Sequence, residues 1–276
     1  MHRLLTVSLA VLVGCSGPAQ KQRRRPRDPN VRTLDRLLAG GSDRSAARPE
    51  GLRECLRRAA LANPCPTRAG DRTLTVRVFL DPLYASRFAG WERRLARTFT
   101  CINTLYRPTG ISWDVEAVEP WPPGAQRHDL FGLLDRLQRE HPYDAKSLTL
   151  GITVWDERKI YASAGGEIGL SQHAACVVPS WPRVENDCLI LAHELGHLVK
   201  ARHVPGQEWV MGWAARPFHL PASDPIARVT ALYRFHPRNV AAIAMHRGAT
   251  FTPRGLALPP GCRERLRAID RCWKLR

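Results

Sequence analysis

The residues of this chain best suited to chemistry are His193, Glu194 and His197, which lie within one pentapeptide. The segment from Cys188 to Val199 is largely apolar around them and predicts a helix. Residues four apart lie on one face of a helix, so His193 and His197 can bind a single zinc ion. Glu194 lies one position round from them, near enough to reach a water molecule at that ion. The spacing therefore indicates hydrolytic chemistry at a metal ion.

Two further residues extend this motif. His203 lies six positions beyond His197, and Met211 lies eight positions beyond His203. The whole pattern resembles that of the metzincins, a family of zinc metallopeptidases, and the spacing from His203 to Met211 is similar to that in matrixins and archaemetzincins. The resemblance implies that His193, His197 and His203 bind one catalytic Zn²⁺. It also implies that Met211 forms a methionine turn, a hydrophobic floor under the histidines. Ring nitrogens within about 4 Å of one another would support a single ion.

One position departs from the metzincin pattern. Lys200 stands where the family has a glycine, three residues after the second histidine, at the sharp turn that ends the helix. Such a turn favours a positive φ, which costs a lysine on the order of 1 kcal/mol. A stable domain absorbs that cost, or the helix ends by another route. His203 is therefore kept as the third ligand, and His173 is its first substitute.

The resemblance also implies a mechanism. Three neutral imidazoles leave a zinc ion its full double charge and one open position, so that a water there loses a proton near neutral pH. Glu194 then acts as general base while this water attacks a peptide carbonyl, and it passes the proton to the leaving nitrogen. Trp213 stands where some metzincins place a tyrosine, so no tyrosine ligand is expected. The expected activity is that of a zinc-dependent endopeptidase acting on protein or peptide substrates.

A substrate-binding strand is expected before the histidine-bearing helix. Glycines suit an exposed edge strand, and an extended peptide can pair with such an edge through main-chain hydrogen bonds. The residues predicted to bind substrate in this way are Glu167, Ile168, Gly169 and Leu170. By analogy with the family, the wall of the main specificity pocket comes from residues 213–218.

The remaining pattern predicts an α+β fold. Apolar residues alternate or run together in the expected strands, and recur at helical spacing in the expected helices. Strands are expected at 73–80, 111–118, 147–155, 165–170 and 174–179, and helices at 88–106 and 129–140. Together with the histidine-bearing helix, which Asn186 or Asp187 caps, they form a mixed twisted sheet with an edge strand and a long backing helix, as in a metzincin-like zincin domain. Further helices are expected after the methionine turn, at 224–247 and 263–276.

The first residues predict export. Leu4–Val13 is a ten-residue apolar stretch after a basic start, which suits a signal peptide and is too short to span a bilayer. The residues that end at Cys15 resemble the lipobox of bacterial lipoproteins. This resemblance implies lipidation of Cys15 and a protein anchored to a membrane of the cell envelope, and Ser16 favours the outer membrane. The alternative is an ordinary secretory signal in which the cysteine is incidental.

Composition divides the rest of the chain into a tether and one domain. Residues 16–50 have too few apolar side chains to fold and predict a disordered basic tether, while residues 51–276 are expected to form a single, monomeric metallopeptidase domain. The net charge of +17 comes mostly from arginine and suits anionic partners such as lipid headgroups. Because the arginines are spread along the chain without a nucleic-acid-binding motif, nucleic acid is not an expected partner.

Seven cysteines follow Cys15, and an oxidising compartment would pair most of them. The pairs expected from the sequence are Cys55 with Cys65, Cys262 with Cys272, and Cys176 with Cys188. The odd number leaves one thiol unpaired. An alternative role for Cys65 is to bind the zinc ion and keep the enzyme latent.

Two other functions fit the sequence. The first is a binding or scaffold lipoprotein that keeps the zinc site without turnover, for which Lys200 is the clue. Glu194 argues against it, because a structural zinc needs a fourth ligand and not a base. The second is an envelope protein whose basic surface binds anionic polymers. Retention on an anionic matrix that depends on salt but not on chelators would indicate this second function.

Overall fold

The computed structural model describes residues 54–55, 58–59, 61–62, 65, 70–124, 129–143, 146–155, 169–212, 225–252 and 254–274. The predicted signal peptide, the lipobox with Cys15 and the tether of residues 16–50 lie outside these residues. Within the described part of the chain, no helix is both long enough and apolar enough to cross a membrane.

A five-stranded sheet forms the centre of the fold. Its strands are β1 (Arg72–Leu80), β2 (Ile111–Pro120), β3 (Leu148–Val154), β4 (Leu170–Gln172) and β5 (Ala175–Ser180). They lie in the order β2-β1-β3-β5-β4, and neighbours are parallel except for β4, which is antiparallel to β5. Strands β3 and β5 are buried along their whole length, which explains their nearly continuous apolar sequences. The predicted mixed sheet with an edge strand is confirmed.

Several α-helices and a hairpin accompany the sheet in the described residues. The helices are α1 (Pro82–Arg87), α2 (Trp91–Tyr106), α3 (Leu130–Glu140), α4 (Val184–Leu198), α5 (Pro225–Leu232), α6 (Pro237–Ala244) and α7 (Cys262–Lys274). The hairpin, which the sequence did not predict, consists of β6 (Thr250–Thr252) and β7 (Gly255–Ala257). The element order is that of the expected α+β fold.

Helix α2 is the long backing helix that the sequence predicted. Its buried apolar residues recur every three or four positions and pack the helix against β2 and α4; they are Leu95, Phe99, Ile102 and Leu105. The predicted helix began at Phe88, whereas α2 begins at Trp91 and is preceded by the separate helix α1. Asp81 explains the earlier helix, because its carboxylate accepts a hydrogen bond from the Leu83 N–H and caps α1, with Pro82 in the first turn.

The start of α4 corrects the predicted N-cap. The helix begins at Val184, and the residue before it makes no side-chain capping bond. Asn186 and Asp187, the predicted caps, lie inside the first turn. The Asp187 carboxylate has other partners: it accepts a hydrogen bond from the Trp181 N–H at 2.8 Å and pairs with the Arg94 guanidinium at 2.7 Å. A negative charge in the first turn also interacts favourably with the helix dipole.

The disulfides differ from those predicted. They join Cys55 with Cys272, Cys65 with Cys262, and Cys101 with Cys188, and they leave the buried Cys176 of β5 as a free thiol. The first two fasten α7 to the segment before β1, and the third fastens α4 to α2. The predicted pairs, Cys55 with Cys65, Cys262 with Cys272, and Cys176 with Cys188, are all wrong.

Helix geometry explains why one of these predictions failed. Cys262 and Cys272 lie on the same helix, α7, and ten residues of helix separate their Cα atoms by about 15 Å, more than twice what a disulfide allows. The proposed latency role of Cys65 is also wrong, because its sulfur is bonded to Cys262.

Candidate metal centre

Helix α4 carries three of the predicted site residues into the interior. His193 and Glu194 are 7% and 5% exposed, and His197 is partly exposed. The Tyr106 hydroxyl of α2 donates a hydrogen bond to the Ala192 carbonyl at 2.9 Å, directly before His193. This contact and the disulfide between α2 and α4 hold the helix in place, so the fold sets the direction in which these side chains point.

The chain leaves α4 through a left-handed lysine. Lys200 has a φ of 63°, its N–H donates to the His197 carbonyl at 3.0 Å, and the Ala201 N–H donates to the Gly196 carbonyl at 2.8 Å. These two hydrogen bonds form a Schellman motif, which ordinarily has glycine at this position. The expected turn is thus made with lysine in the glycine's place, and the chain reverses there to bring His203 back towards the helix.

Lys200→Gly should stabilise the fold by up to about 1 kcal/mol, because glycine adopts a positive φ without the steric cost of a side chain. Urea unfolding of the whole chain measures the change. His173, with a φ of 56°, has the same backbone conformation, so His173→Gly should act alike. Glu92→Gly, in the first turn of α2, is the opposite control and should destabilise by about 1 kcal/mol. A loss of stability in Lys200→Gly would refute this account of the turn.

The structure brings the three predicted histidine ligands together. The Nε2 atoms of His193 and His203 are 3.0 Å apart, and the Nε2 atom of His197 lies 3.2 Å from each of them. Tetrahedral zinc with nitrogen ligands at about 2.0–2.1 Å places those nitrogens about 3.3 Å from one another. The observed triangle is therefore close to the size that one zinc ion requires.

Carbonyl groups fix the orientation of the two helical imidazoles. The Nδ1 atom of His193 lies 2.7 Å from the Val210 carbonyl oxygen, and that of His197 lies 3.2 Å from the Ala201 carbonyl oxygen. Because a carbonyl only accepts hydrogen bonds, each Nδ1 must donate its proton, which leaves the Nε2 lone pair free for a metal.

Burial keeps these imidazoles neutral. Desolvation lowers the pKa of His193 to about 3 and that of His197 to about 4, and it also lowers the pKa of His203. At neutral pH the Nε2 atoms of His193 and His197 therefore offer lone pairs, and the neutral His203 imidazole offers its own in the tautomer that carries the proton on Nδ1. Lone pairs that converge on one point repel each other unless a cation lies among them. Neutral imidazole nitrogens in this arrangement fit a zinc ion.

The substitute ligand His173 lies elsewhere. It occupies the exposed turn between β4 and β5. In the parts of the chain that the structure describes, the group formed by His193, His197 and His203 is the one set of three or more histidine, cysteine or acidic side chains close enough to hold a metal ion.

His203→Ala should weaken zinc binding by at least about 100-fold, because only two imidazoles then remain and the loss of an outer-shell partner alone can cost about that much. Competition with a chromophoric chelator measures the affinity. His173→Ala is the matched control and should leave the affinity unchanged. Equal zinc affinity in His203→Ala and the unmodified chain would rule out His203 as a ligand.

Met211 lies against Gly196 at the inner side of α4. The methionine is fully buried, and a Cβ atom on Gly196 would come within 2.7 Å of the Met211 Sδ atom. Gly196 therefore makes room for the methionine below the turn that joins His193 to His197. Sequence reasoning missed Gly196, although a glycine inside a buried helix costs about 1 kcal/mol relative to alanine and so marks a place where space is needed.

Glu194 lies between α4 and the edge strand β4. The Ser171 hydroxyl of β4 donates a hydrogen bond to the Glu194 carboxylate and lies 3.0 Å from the Glu194 carbonyl oxygen. A Cβ atom on Gly169 would come within 2.6 Å of the Glu194 Oε1 atom, so a glycine is needed for the chain to pass this close. Sequence reasoning missed Ser171. The signal that could have indicated Ser171 is strand alternation, because it places Ser171 on the opposite face of β4 from Leu170.

Two of the four predicted substrate-binding residues, Gly169 and Leu170, lie at the start of β4. Leu170 is its first residue and Gly169 directly precedes it, while Glu167 and Ile168 lie outside the described residues. The predicted pocket wall at residues 213–218 also lies outside them. Within the described sheet, β4 is the end strand, with β5 as its hydrogen-bonded neighbour.

No protein-family profile matches this sequence, and no curated protein matches it. Some solved structures contain a chain whose backbone aligns with part of this one. A chain in the structure of a chaperone–substrate complex is 11% identical, with a TM-score of 0.44 over 65% of this chain and 34% of that one. Archaemetzincin from Methanopyrus kandleri is 16% identical, with a TM-score of 0.37 over 75% of this chain and 98% of that one. Metalloproteinase-II from Bacteroides fragilis is 18% identical, with a TM-score of 0.38 over 65% of this chain and 61% of that one.

This chain therefore spans about a third of the chain in the chaperone–substrate complex and about three-fifths of metalloproteinase-II. Two of the three neighbours are named as an archaemetzincin and a metalloproteinase. The chemistry of the site follows from its own residues, above all from the converging Nε2 atoms of His193, His197 and His203.

Proposed function

We propose that this chain is a zinc-dependent endopeptidase. The observation that carries the proposal is the triangle of Nε2 atoms from His193, His197 and His203, 3.0–3.2 Å apart, with Glu194 next to the first of them in the same helix. Three protein ligands leave one coordination position open, which is typical of catalytic zinc sites and not of structural ones.

The residues of this chain have separate roles in the proposed reaction. His193, His197 and His203 would hold the zinc ion, which, when bound, supplies Lewis acidity and makes a neighbouring water easier to deprotonate. Glu194 takes a proton from the water at its carboxylate and later delivers it to the leaving nitrogen. The Ser171 hydroxyl holds the Glu194 carboxylate in one orientation through its hydrogen bond.

The proposed substrate is an extended peptide. Strand β4 contacts Glu194 through Ser171 and lies at the end of the described sheet. A peptide could therefore add to the sheet through main-chain hydrogen bonds, a mode that needs little side-chain selectivity, and its scissile bond would then lie near the catalytic carboxylate.

We also propose that the chain acts in a bacterial cell envelope, anchored through lipidated Cys15. The support is the apolar stretch Leu4–Val13 followed by the lipobox-like residues. Incorporation of labelled palmitate into the chain, and its absence in Cys15→Ser, would support the anchor, whereas equal labelling of both would refute it.

The enzymatic proposal is tested on the purified whole chain by measuring its zinc content and its cleavage of casein. One zinc per chain, with cleavage that stops on chelation and returns when zinc is added, is the expected result. A chain that binds no zinc contradicts the proposal. Full zinc content without cleavage of casein or of a peptide library would favour the non-catalytic scaffold.

A further inference from the structure

His203 is the one of the three candidate ligands that lies outside α4, so contacts from other elements must hold it in place. The helix ends at Leu198, and the chain turns at Lys200 before reaching His203. The backbone of Arg202 leads directly into this histidine. The groups that hold the Arg202 backbone therefore decide where the His203 imidazole lies.

Asn239 of α6 holds both backbone polar groups of Arg202. The Asn239 Oδ1 atom accepts a hydrogen bond from the Arg202 N–H at 3.0 Å, and the Asn239 Nδ2 atom donates to the Arg202 carbonyl oxygen at 2.9 Å. The second of these groups belongs to the peptide bond that joins Arg202 to His203. Asn239 itself is 1% exposed, so its carboxamide has little access to water as an alternative partner.

Helix α7 supports the same contact. The Asp270 carboxylate lies 3.1 Å from the Arg202 guanidinium and 2.7 Å from that of Arg238, the residue before Asn239. The Arg202 side chain is 59% exposed, so its ion pair is weakened by solvent. The Arg238 pair is more buried and fixes the first turn of α6 to α7. The buried Asn239 carboxamide is therefore the main restraint on the Arg202 backbone, and Asp270 restrains α6 behind it.

We propose that Asn239 is a positioning residue for the metal centre. Its carboxamide holds the Arg202 backbone so that the His203 imidazole meets those of His193 and His197. The inference rests on the proposed zinc site. Loss of the carboxamide removes the partners of both Arg202 backbone groups, and the loop shifts to satisfy them. Because metal affinity depends on the placement of all three nitrogens, such a shift weakens zinc binding.

The chain contains a matched control for this residue. Asn103 of α2 makes the same pair of hydrogen bonds to the backbone of Trp113 in β2: its Nδ2 donates to the Trp113 carbonyl at 2.9 Å, and its Oδ1 accepts from the Trp113 N–H at 2.7 Å. Asn103→Leu and Asn239→Leu therefore remove equivalent bonds. Only the second change acts on the loop of a candidate ligand.

Zinc affinity of the whole chain is measured by competition with a chromophoric chelator, below the melting transition of each variant. Asn239→Leu should weaken the affinity about tenfold, as loss of an outer-shell partner commonly does, and Asn103→Leu should change it by less than about twofold. Thermal unfolding of the zinc-free variants should show comparable losses of stability. If Asn239→Leu does not fold, Asn239→Asp, which keeps the acceptor for the Arg202 N–H, should show a smaller but measurable loss of affinity.

Unchanged zinc affinity in the Asn239 variant, with one zinc bound to the unmodified chain, overturns the positioning role and leaves the proposed function standing. An equal loss in the Asn103 variant overturns it as well, because the effect is then one of general stability. If the unmodified chain binds no zinc, the proposed function fails first, and this inference fails with it.

Discussion

Glu194→Ala is expected to lower peptide hydrolysis by about 10²–10⁴-fold, the usual contribution of a general base, while the zinc content stays at the unmodified level. The carboxylate lies between α4 and β4, where the Ser171 hydroxyl orients it, and it is absent from the candidate ligand set. Its loss should therefore affect proton transfer and not metal binding. Initial rates on casein and on a peptide library, with zinc analysis of the same samples, measure both quantities.

Glu185→Gln is the control for this prediction. Glu185 is also a buried carboxylate of α4, but it lies in the first turn, beside Arg183 and away from the histidines. The substitution Glu185→Gln should therefore leave the hydrolytic rate nearly unchanged. Full activity in Glu194→Ala would show that another group takes the proton, whereas loss of zinc from that variant would mean that Glu194 supports the metal site itself.

Arg94→Met is expected to destabilise the fold by about 3–5 kcal/mol at pH 8, the usual result of removing one partner of a buried ion pair. The Arg94 guanidinium donates to the Asp187 carboxylate at 2.7 and 3.1 Å and to the Trp181 carbonyl at 2.6 Å. Asp187 is 5% exposed, so the substitution leaves a buried carboxylate without its counterion.

This loss should shrink as the pH falls. Burial raises the pKa of Asp187 to about 6, although Arg94 opposes the rise. A folded-state pKa above that of the unfolded chain means that stability declines as the pH rises from about 4 through about 6. Without Arg94 the pKa rises further. The carboxyl is then neutral in the variant at pH 5, where it needs no counterion.

Urea unfolding at pH 8 and pH 5 measures both effects. Arg139→Met serves as the control, because the ion pair of Arg139 with Asp135 is exposed and contributes less than about 0.5 kcal/mol. A loss below about 1 kcal/mol for Arg94→Met at pH 8 would show that the buried pair does not hold the start of α4 as described.

Regular patterns made the elements around the site predictable. The four-residue spacing of His193 and His197 places both on one face of any helix, and the apolar residues around them require that this helix be buried. The elements of the sheet were predictable for the same reason, since β1 alternates in burial and α2 repeats at helical spacing. These features depend on neighbours in the sequence.

Contacts between distant residues were not predictable in this way. From the sequence alone, Asp187 is a candidate N-cap. Its partner in the structure, Arg94, lies 93 residues earlier, and no local pattern connects the two residues. The hydrogen bonds between Asn239 and the Arg202 backbone also join residues that are distant in the sequence. One error was avoidable, because the helix predicted at 263–276 begins directly after Cys262 and so already placed Cys272 too far from it to bond.

The turn after α4 shows that a lysine can make the bend for which glycine is usual. Lys200 adopts the left-handed conformation that glycine usually supplies, and His203 still reaches the other two histidines. In the sequence, Lys200 is the feature that suggests a non-catalytic scaffold. Because the turn forms with lysine in place, Lys200 does not favour the scaffold over the endopeptidase.

The bridges from Cys55 to Cys272 and from Cys65 to Cys262 close rings whose ends are 217 and 197 residues apart in sequence. Most of the polypeptide therefore lies within a covalent loop. A single nick between these cysteines would open the loop without shedding a fragment, and the two pieces would migrate together on a gel until a reductant separated them. Cleavage of the backbone by another protease would thus leave the two pieces joined, and they could keep their shared core.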